Sequence, residues 1–218
     1  MQRPTKTMTA VAIAAMIVFG WSVRASALGY RFVGKWGTTG SGAGYLDYPT
    51  GLAIDALGQV YVVEASNFRI SKFDAGGGFI TAWGSYGTAE GRFSVIDGAG
   101  IAVDPTTFKV YVPDAGNWRI QKFDAAGNFE RAWGWGVQDG SSAFQVCTSG
   151  CHAGVQGSGD GQFWVPTHVA VDAGGDVYVI DNRNARIQVF GADGTFERTW
   201  GWGVMPTASR STPRAPST

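Results

Sequence analysis

Net charge and helical periodicity are both missing from this sequence. The 218 residues hold 17 basic and 17 acidic side chains, so the formal charge is zero. A chain without excess positive charge gives no reason to expect binding to nucleic acid or to an anionic lipid surface. No segment repeats its apolar residues at the helical spacing, which favours an all-β fold.

Cysteine and histidine are scarce, with two of each. We find no nucleophile paired with a base, which would indicate a catalytic residue. We also find no set of histidines that would indicate a metal site. The sequence therefore predicts no catalytic residue and no cofactor.

Long apolar runs are also missing, apart from one near the start. Arg3 and Lys6 precede an uncharged, mostly apolar run from Ala10 to Trp21, and the small-x-small site Ala25-Ser26-Ala27 follows. This layout predicts a secretory signal over residues 1–27, with an uncleaved anchor as the alternative, although the run is short for a membrane span. Without these residues the chain has 14 basic and 17 acidic side chains, a formal charge of −3. We expect a secreted or cell-envelope domain with no membrane span after cleavage.

Glycine and aromatic residues are plentiful. There are 33 Gly, 13 Phe, 9 Trp and 7 Tyr, and the glycine content is about twice the usual ~7%. This composition indicates many short strands joined by tight turns.

One sequence segment occurs in three similar copies, at residues 60–70, 110–120 and 177–187. Each copy has Val-Tyr-Val, then an acid, and then Asn-x-Arg-Ile. Each copy lies within a unit of four strand-length apolar runs, separated by turns rich in Asp and Gly. The units span about 45–84, 91–136 and 161–203, and an extra copy of the fourth run stands at 32–37. Four short antiparallel strands per unit predict the blades of a β-propeller.

The units resemble NHL repeats, the propeller blades of tripartite-motif proteins, of the peptide-amidating lyase and of many exported bacterial proteins. The residues that carry the resemblance are Gly-x-Ala-[Ile/Val]-Asp, Val-Tyr-Val, Asn-x-Arg-Ile and Trp-Gly, which recur over residues 30–204. The resemblance implies blades around a central axis with the first strand innermost, usually six in a closed ring.

Only half of such a ring is present. Three four-stranded blades and one extra outer strand, over residues 28–204, predict an open arc, half of a six-bladed homodimer, or the product of a truncated reading frame. Residues 205–218 are rich in Pro, Ser and Thr, which is typical of a disordered tail.

A set of acid, amide and guanidinium groups recurs in every unit. We interpret it as a structural network, because a binding site rarely needs three copies. A polar binding ring is the alternative. The members are Glu64, Asn67, Arg69, Asp114, Asn117, Arg119, Asp181, Asn184 and Arg186.

An insertion of about residues 137–160 contains both cysteines, Cys147 and Cys151. Two cysteines four residues apart in an exported protein predict a small-loop disulfide. Two alternatives remain: a c-type haem at Cys147–His152, with His168 or Met205 as second ligand, and a zinc site that adds His152 and Asp160.

The function we expect is that of a non-catalytic scaffold which binds a protein, peptide or glycan. The partner would contact the face that carries the insertion and the turns between second and third strands. The alternative is a metal-dependent hydrolase or lyase centred on His168, which replaces an inner-strand glycine; a truncated, non-functional remnant is the third reading. The candidate binding residues are His168, Phe144, Trp164, Asn182 and Arg183. For Phe144 and Trp164, burial as blade core is the favoured alternative.

Overall fold

A computed structural model describes residues 34–96 and 98–201. The chain divides into two units between residues 35 and 36, and all the strands described lie in the second unit. The predicted signal at 1–27 and the predicted tail at 205–218 lie outside the described residues. Within the described part, no helix is long and apolar enough to cross a membrane.

The described residues form three antiparallel sheets, each of which is one blade. In every sheet the strands follow one another in sequence order, so all connections are between neighbours. Blade 1 has β1 Pro49–Ile54, β2 Val60–Glu64, β3 Arg69–Phe73 and β4 Phe79–Trp83. Blade 2 has β5 Ala102–Val103, β6 Val110–Asp114, β7 Arg119–Phe123, β8 Phe129–Trp135 and β9 Phe144–Cys147. Blade 3 has β10 Pro166–Val171, β11 Val177–Asp181, β12 Arg186–Phe190 and β13 Phe196–Gly201.

The fold class is the predicted one, an all-β partial propeller, but two details differ. Blade 2 has five strands, because β9 from the insertion pairs with β8 from Ala132–Cys147 to Trp135–Phe144. An outer strand exposes unpaired backbone groups, and Phe144 to Cys147 supply a strand that can use them. The extra outer strand expected at 32–37 is not found in its described part, since residues 34–37 are not strand.

Each blade has two faces with different neighbours. We define the front face of a blade as the face that points toward the next blade in sequence, and the back face as the face that points toward the preceding blade. In the end blades, which lack one of these neighbours, the faces are assigned from the equivalent strand positions. Side chains of successive strand residues alternate between the two. In the first core, Tyr61 and Val63 from the front of blade 1 meet Val112 and Phe123 from the back of blade 2.

The second core repeats this arrangement one blade later. Tyr111, Ile120 and Trp133 from the front of blade 2 meet Val179 and Phe190 from the back of blade 3. All five side chains are fully buried. The two largest hydrophobic cores among the described residues therefore lie between blades.

Candidate functional site

The recurring acid, amide and guanidinium groups contact one another in every blade. In blade 2, Asp114 accepts hydrogen bonds from Arg119 Nε at 3.0 Å, Asn117 Nδ2 at 2.8 Å and Gln121 Nε2 at 2.9 Å. Asp114 and Arg119 are fully buried. Burial of a charged pair is tolerated when every polar atom has a partner, as here.

The arginine of each network also binds the loop that enters its blade. The guanidinium of Arg119 donates to the carbonyl oxygens of Ala89, Arg92 and His152 at 2.7–3.0 Å. Arg69 binds the loop at residues 41–45 in the same way, and Arg186 binds residues 158–162. These donors are used inside the scaffold, so they are not available to a ligand.

In blade 1 the network holds a carboxylate in its ionised form. Burial alone raises the pKa of Glu64, but hydrogen bonds from Arg69, Ser71 and Asn67 outweigh it and leave the pKa below its ordinary value. The Nε of Arg69 lies 2.8 Å from Glu64 Oε1.

These contacts position one face of the protein, which we call the loop face. It carries the turns β2–β3, β6–β7 and β11–β12 together with the loops that enter each blade. Backbone hydrogen bonds join the two sets: Ala65 donates to Tyr48, and Gly116 donates to Val95. Backbone φ angles of 50° at Tyr48 and 57° at Val165 mark the same point of two entry loops. A left-handed backbone conformation is energetically unfavourable for tyrosine and even more so for β-branched valine. The surrounding hydrogen bonds must therefore maintain this conformation.

The insertion lies against blade 2 on the loop face. The disulfide between Cys147 and Cys151 is present, and both cysteines pack with the fully buried Val137. The backbone of Gly154 donates to the carbonyl of Asn117, and Trp135 Nε1 donates to the carbonyl of Asp160. Because the sulfurs bond each other, neither is available as a thiolate for haem attachment or zinc.

Three of the five predicted binding residues lie together. Trp164, Asn182 and Arg183 are exposed at the loop face of blade 3, and the Arg183 N–H donates to the Trp164 carbonyl at 3.1 Å. Phe144 is elsewhere, stacked on Phe190 with ring centroids 6.1 Å apart, so it packs as blade core. His168 is exposed on β10 opposite Ile180, and it lies beside Gly100, which precedes β5.

The loop face also has an apolar cleft that sequence reasoning missed. The cleft holds about 360 Å³ between blades 1 and 2. Phe68, one of its lining residues, also contacts Tyr86, with ring centroids 5.1 Å apart. Side chains that belong in a core are usually buried, but here Tyr48 is 59% exposed and Val95 is 56% exposed. In the sequence, Tyr48 and Val95 occupy the same position of two entry loops, two residues after Leu46 and Phe93 respectively. The lining residues are Tyr48, Ala65, Ser66, Phe68, Val95 and Ile96.

Comparison with protein families identifies the repeat. The model of the NHL repeat matches residues 46–73 and 163–190, which comprise the end of the entry loop and the first three strands of blades 1 and 3. The chain carries NHL repeats. The matched segments of these NHL blades contain the acid, the amide and the arginine of the two networks around Glu64 and Asp181. A comparison with curated proteins gives no match.

Three solved structures illustrate what the NHL blades are similar to. A nidogen/laminin complex shares 21% identity over 68% of this chain and 46% of that chain, with a TM-score of 0.45. Virginiamycin B lyase from Staphylococcus aureus shares 12% identity over 72% and 42%, with a TM-score of 0.43. Hydrazine synthase of Kuenenia stuttgartiensis shares 13% identity over 78% and 39%, with a TM-score of 0.46. The chain spans less than half the length of each of these structures.

The NHL blades bring few metal-binding side chains together. Among residues 34–96 and 98–201, no group of three or more His, Cys, Asp or Glu side chains is placed to hold a metal ion. The disulfide is compatible with an extracytoplasmic protein.

Proposed function

We propose that this protein is an exported, non-catalytic NHL scaffold that binds a protein or peptide partner on its loop face. The observation that carries the proposal is the exposed apolar cleft of Tyr48, Phe68 and Val95 on a rigid frame of buried networks. Loops that are fixed on a rigid scaffold are the usual place for binding residues.

The chemistry of the cleft favours a peptide side chain over a sugar. Its described lining is mostly aromatic and aliphatic, and two of the six lining residues, Ser66 and Tyr48, carry a hydroxyl group. A glycan needs several hydrogen-bonding partners, whereas an aromatic or aliphatic side chain of a peptide needs an apolar pocket. The exposed Trp164, with Asn182 and Arg183 beside it, offers a second contact with the polar rim that protein interfaces show.

The probe for this proposal is a displayed library of random 12-residue peptides, selected on the purified protein. We expect enriched peptides with an aromatic or aliphatic anchor, and we expect Val95→Arg to abolish their binding, because the charge stands at the cleft. The matched control is Leu57→Arg. Leu57 is 69% exposed in the β1–β2 turn, at the opposite end of the strands from the cleft.

Three results would contradict the proposal. Peptide binding that is unchanged by Val95→Arg would place the site elsewhere, and binding to a glycan array without peptide enrichment would change the class of partner. A stoichiometric metal in the purified protein that is lost in His168→Ala would favour the hydrolase or lyase alternative.

A further inference from the structure

The front face of blade 3 is built like the two interior front faces but is exposed. Ile180 is 42% exposed and Trp200 is 38% exposed. Their equivalents in blade 1 are Val63, which is fully buried, and Trp83, which packs in the core between blades. Around Trp200 and Ile180 lies an open pocket of about 360 Å³, to which Ile187 and Gly201 also contribute.

The back face of blade 1 has the complementary exposure. Leu52 and Ile54 on β1 are each 61% exposed. The equivalent of Leu52 in blade 2 is Ile101, which is only 6% exposed because it packs against blade 1. Within the described residues, the front face of blade 3 and the back face of blade 1 therefore both expose apolar side chains.

Interior junctions show how a front face and a back face fit. Trp83 lies 6.0 Å from Phe123 and over Gly127, where a side chain would collide with the indole. Trp133 lies 5.9 Å from Phe190 and over Gly194 in the same way. A tryptophan, a phenylalanine and a glycine thus form one contact that recurs at each junction.

A polar contact accompanies each tryptophan. Lys72 Nζ donates to the carbonyl of Ala125 in the next blade, and Arg131 donates to the carbonyl of Asp193. In blade 3, Val189 stands at the position of Lys72, so that contact is lost. Arg198 stands at the position of Arg131, and its side chain is exposed.

We propose that the front face of blade 3 binds the back face of blade 1 in a second copy of this chain. In that arrangement Trp200 reaches Phe73 and Gly77 of the second copy, and Arg198 reaches the carbonyl of Gly76. The contact joins two different surfaces, so it closes into a two-copy ring or continues into a longer assembly, depending on the rotation between copies.

Trp36 of this protein already occupies part of the surface at Phe73 and Gly77 that Trp200 of a second copy would contact. Trp36 lies 4.5 Å from Phe73, and a side chain at Gly77 would collide with its indole. This is the contact that Trp83 and Trp133 make at the interior junctions. Trp36 and Trp200 of a second copy therefore compete for Phe73, and association requires Trp36 to leave.

Cross-linking between two single-cysteine variants tests which surfaces meet. Ile180→Cys and Leu52→Cys place thiols at positions whose equivalents, Val63 and Ile101, lie in one core. Among the described residues no other cysteine is free. With a short bismaleimide we expect a dimer when the two variants are mixed, and much less product from either variant alone.

Sedimentation velocity over a range of concentrations tests the competition. We expect Trp36→Ala to tighten self-association at least tenfold and Ile180→Arg to abolish it. Val95→Arg is the control, because Val95 lies in the cleft between blades 1 and 2 and not at this junction. Its loss of peptide binding should therefore leave association unchanged. The two proposals can therefore fail separately.

Several results would overturn the inference. Cross-linking of Ile180→Cys to itself alone would mean that two front faces meet. Absence of mixed product, or association weakened by Trp36→Ala, would also refute it. Mixed product that forms only after removal of residues 205–218 would show that this segment of the same chain covers blade 3.

Discussion

Trp133 and Trp200 stand at the same position of two blades, in the same Trp-Gly-Trp-Gly-Val sequence. Trp133 is fully buried on Phe190 of the next blade, whereas Trp200 is 38% exposed and contacts Tyr178 and Arg198 of its own blade. The difference shows that a blade sequence does not determine the burial of its own side chains. In a propeller, one of the two faces of each blade is buried by the next blade.

The largest expected effect is the loss of an interior tryptophan. We expect Trp133→Ala to lower the free energy of unfolding by about 3 to 5 kcal/mol, because it leaves a large cavity in a closed core. Trp200→Ala should cost only about 1 kcal/mol at concentrations where the protein is monomeric, since part of the side chain is already in water. Urea denaturation measures both, and equal losses would mean that Trp200 is covered.

The networks of blades 1 and 2 give the next comparison. Arg119→Met removes the partner of a fully buried carboxylate, and we expect a loss of about 3 kcal/mol. Arg69→Met should cost less, because the Arg69 side chain is 15% exposed and water can reach the vacated position. Thermal unfolding of the two variants tests this order. A larger loss for Arg69→Met would show that the end blade depends more on its network.

The smallest effect concerns pH and Glu64. Its pKa lies below the ordinary value of 4.5, so the carboxylate stabilises the fold above that pH. This stabilisation is lost as the pH falls through the lowered pKa, because protonation weakens the bonds from Arg69 and Asn67. We expect Glu64→Gln to flatten the acid limb of a stability-against-pH curve. Glu130→Gln on blade 2 is the control, and an unchanged slope in Glu64→Gln would contradict the assignment.

Much of the fold could be predicted because it depends on local sequence. The strands of each blade follow from Val-Tyr-Val, from Asn-x-Arg-Ile and from turns with Asp and Gly. The network of Asp114 and Arg119 spans only five residues, so its members meet once β6 and β7 form a hairpin. The Cys147–Cys151 disulfide is equally local and was predicted from its spacing.

The cleft and the fifth strand could not be predicted, because both depend on contacts between distant segments. Tyr48 and Val95 line one cleft although 47 residues separate them. β9 exists because the outer edge of blade 2 is free to pair with the insertion. Phe144, a candidate binding residue for which burial as blade core was the favoured alternative, packs on Phe190 of the following blade.

By itself, the sequence determined the repeat, the blade and the polar network inside it, because these are formed by residues a few positions apart. The tertiary structure alone decided which copies of a repeated side chain are covered. Trp36, Trp83, Trp133 and Trp200 have nearly the same neighbours in sequence, but their exposure depends on the blade in front of them. A side chain between two sheets is buried only when both sheets are present, and a single repeat encodes one sheet.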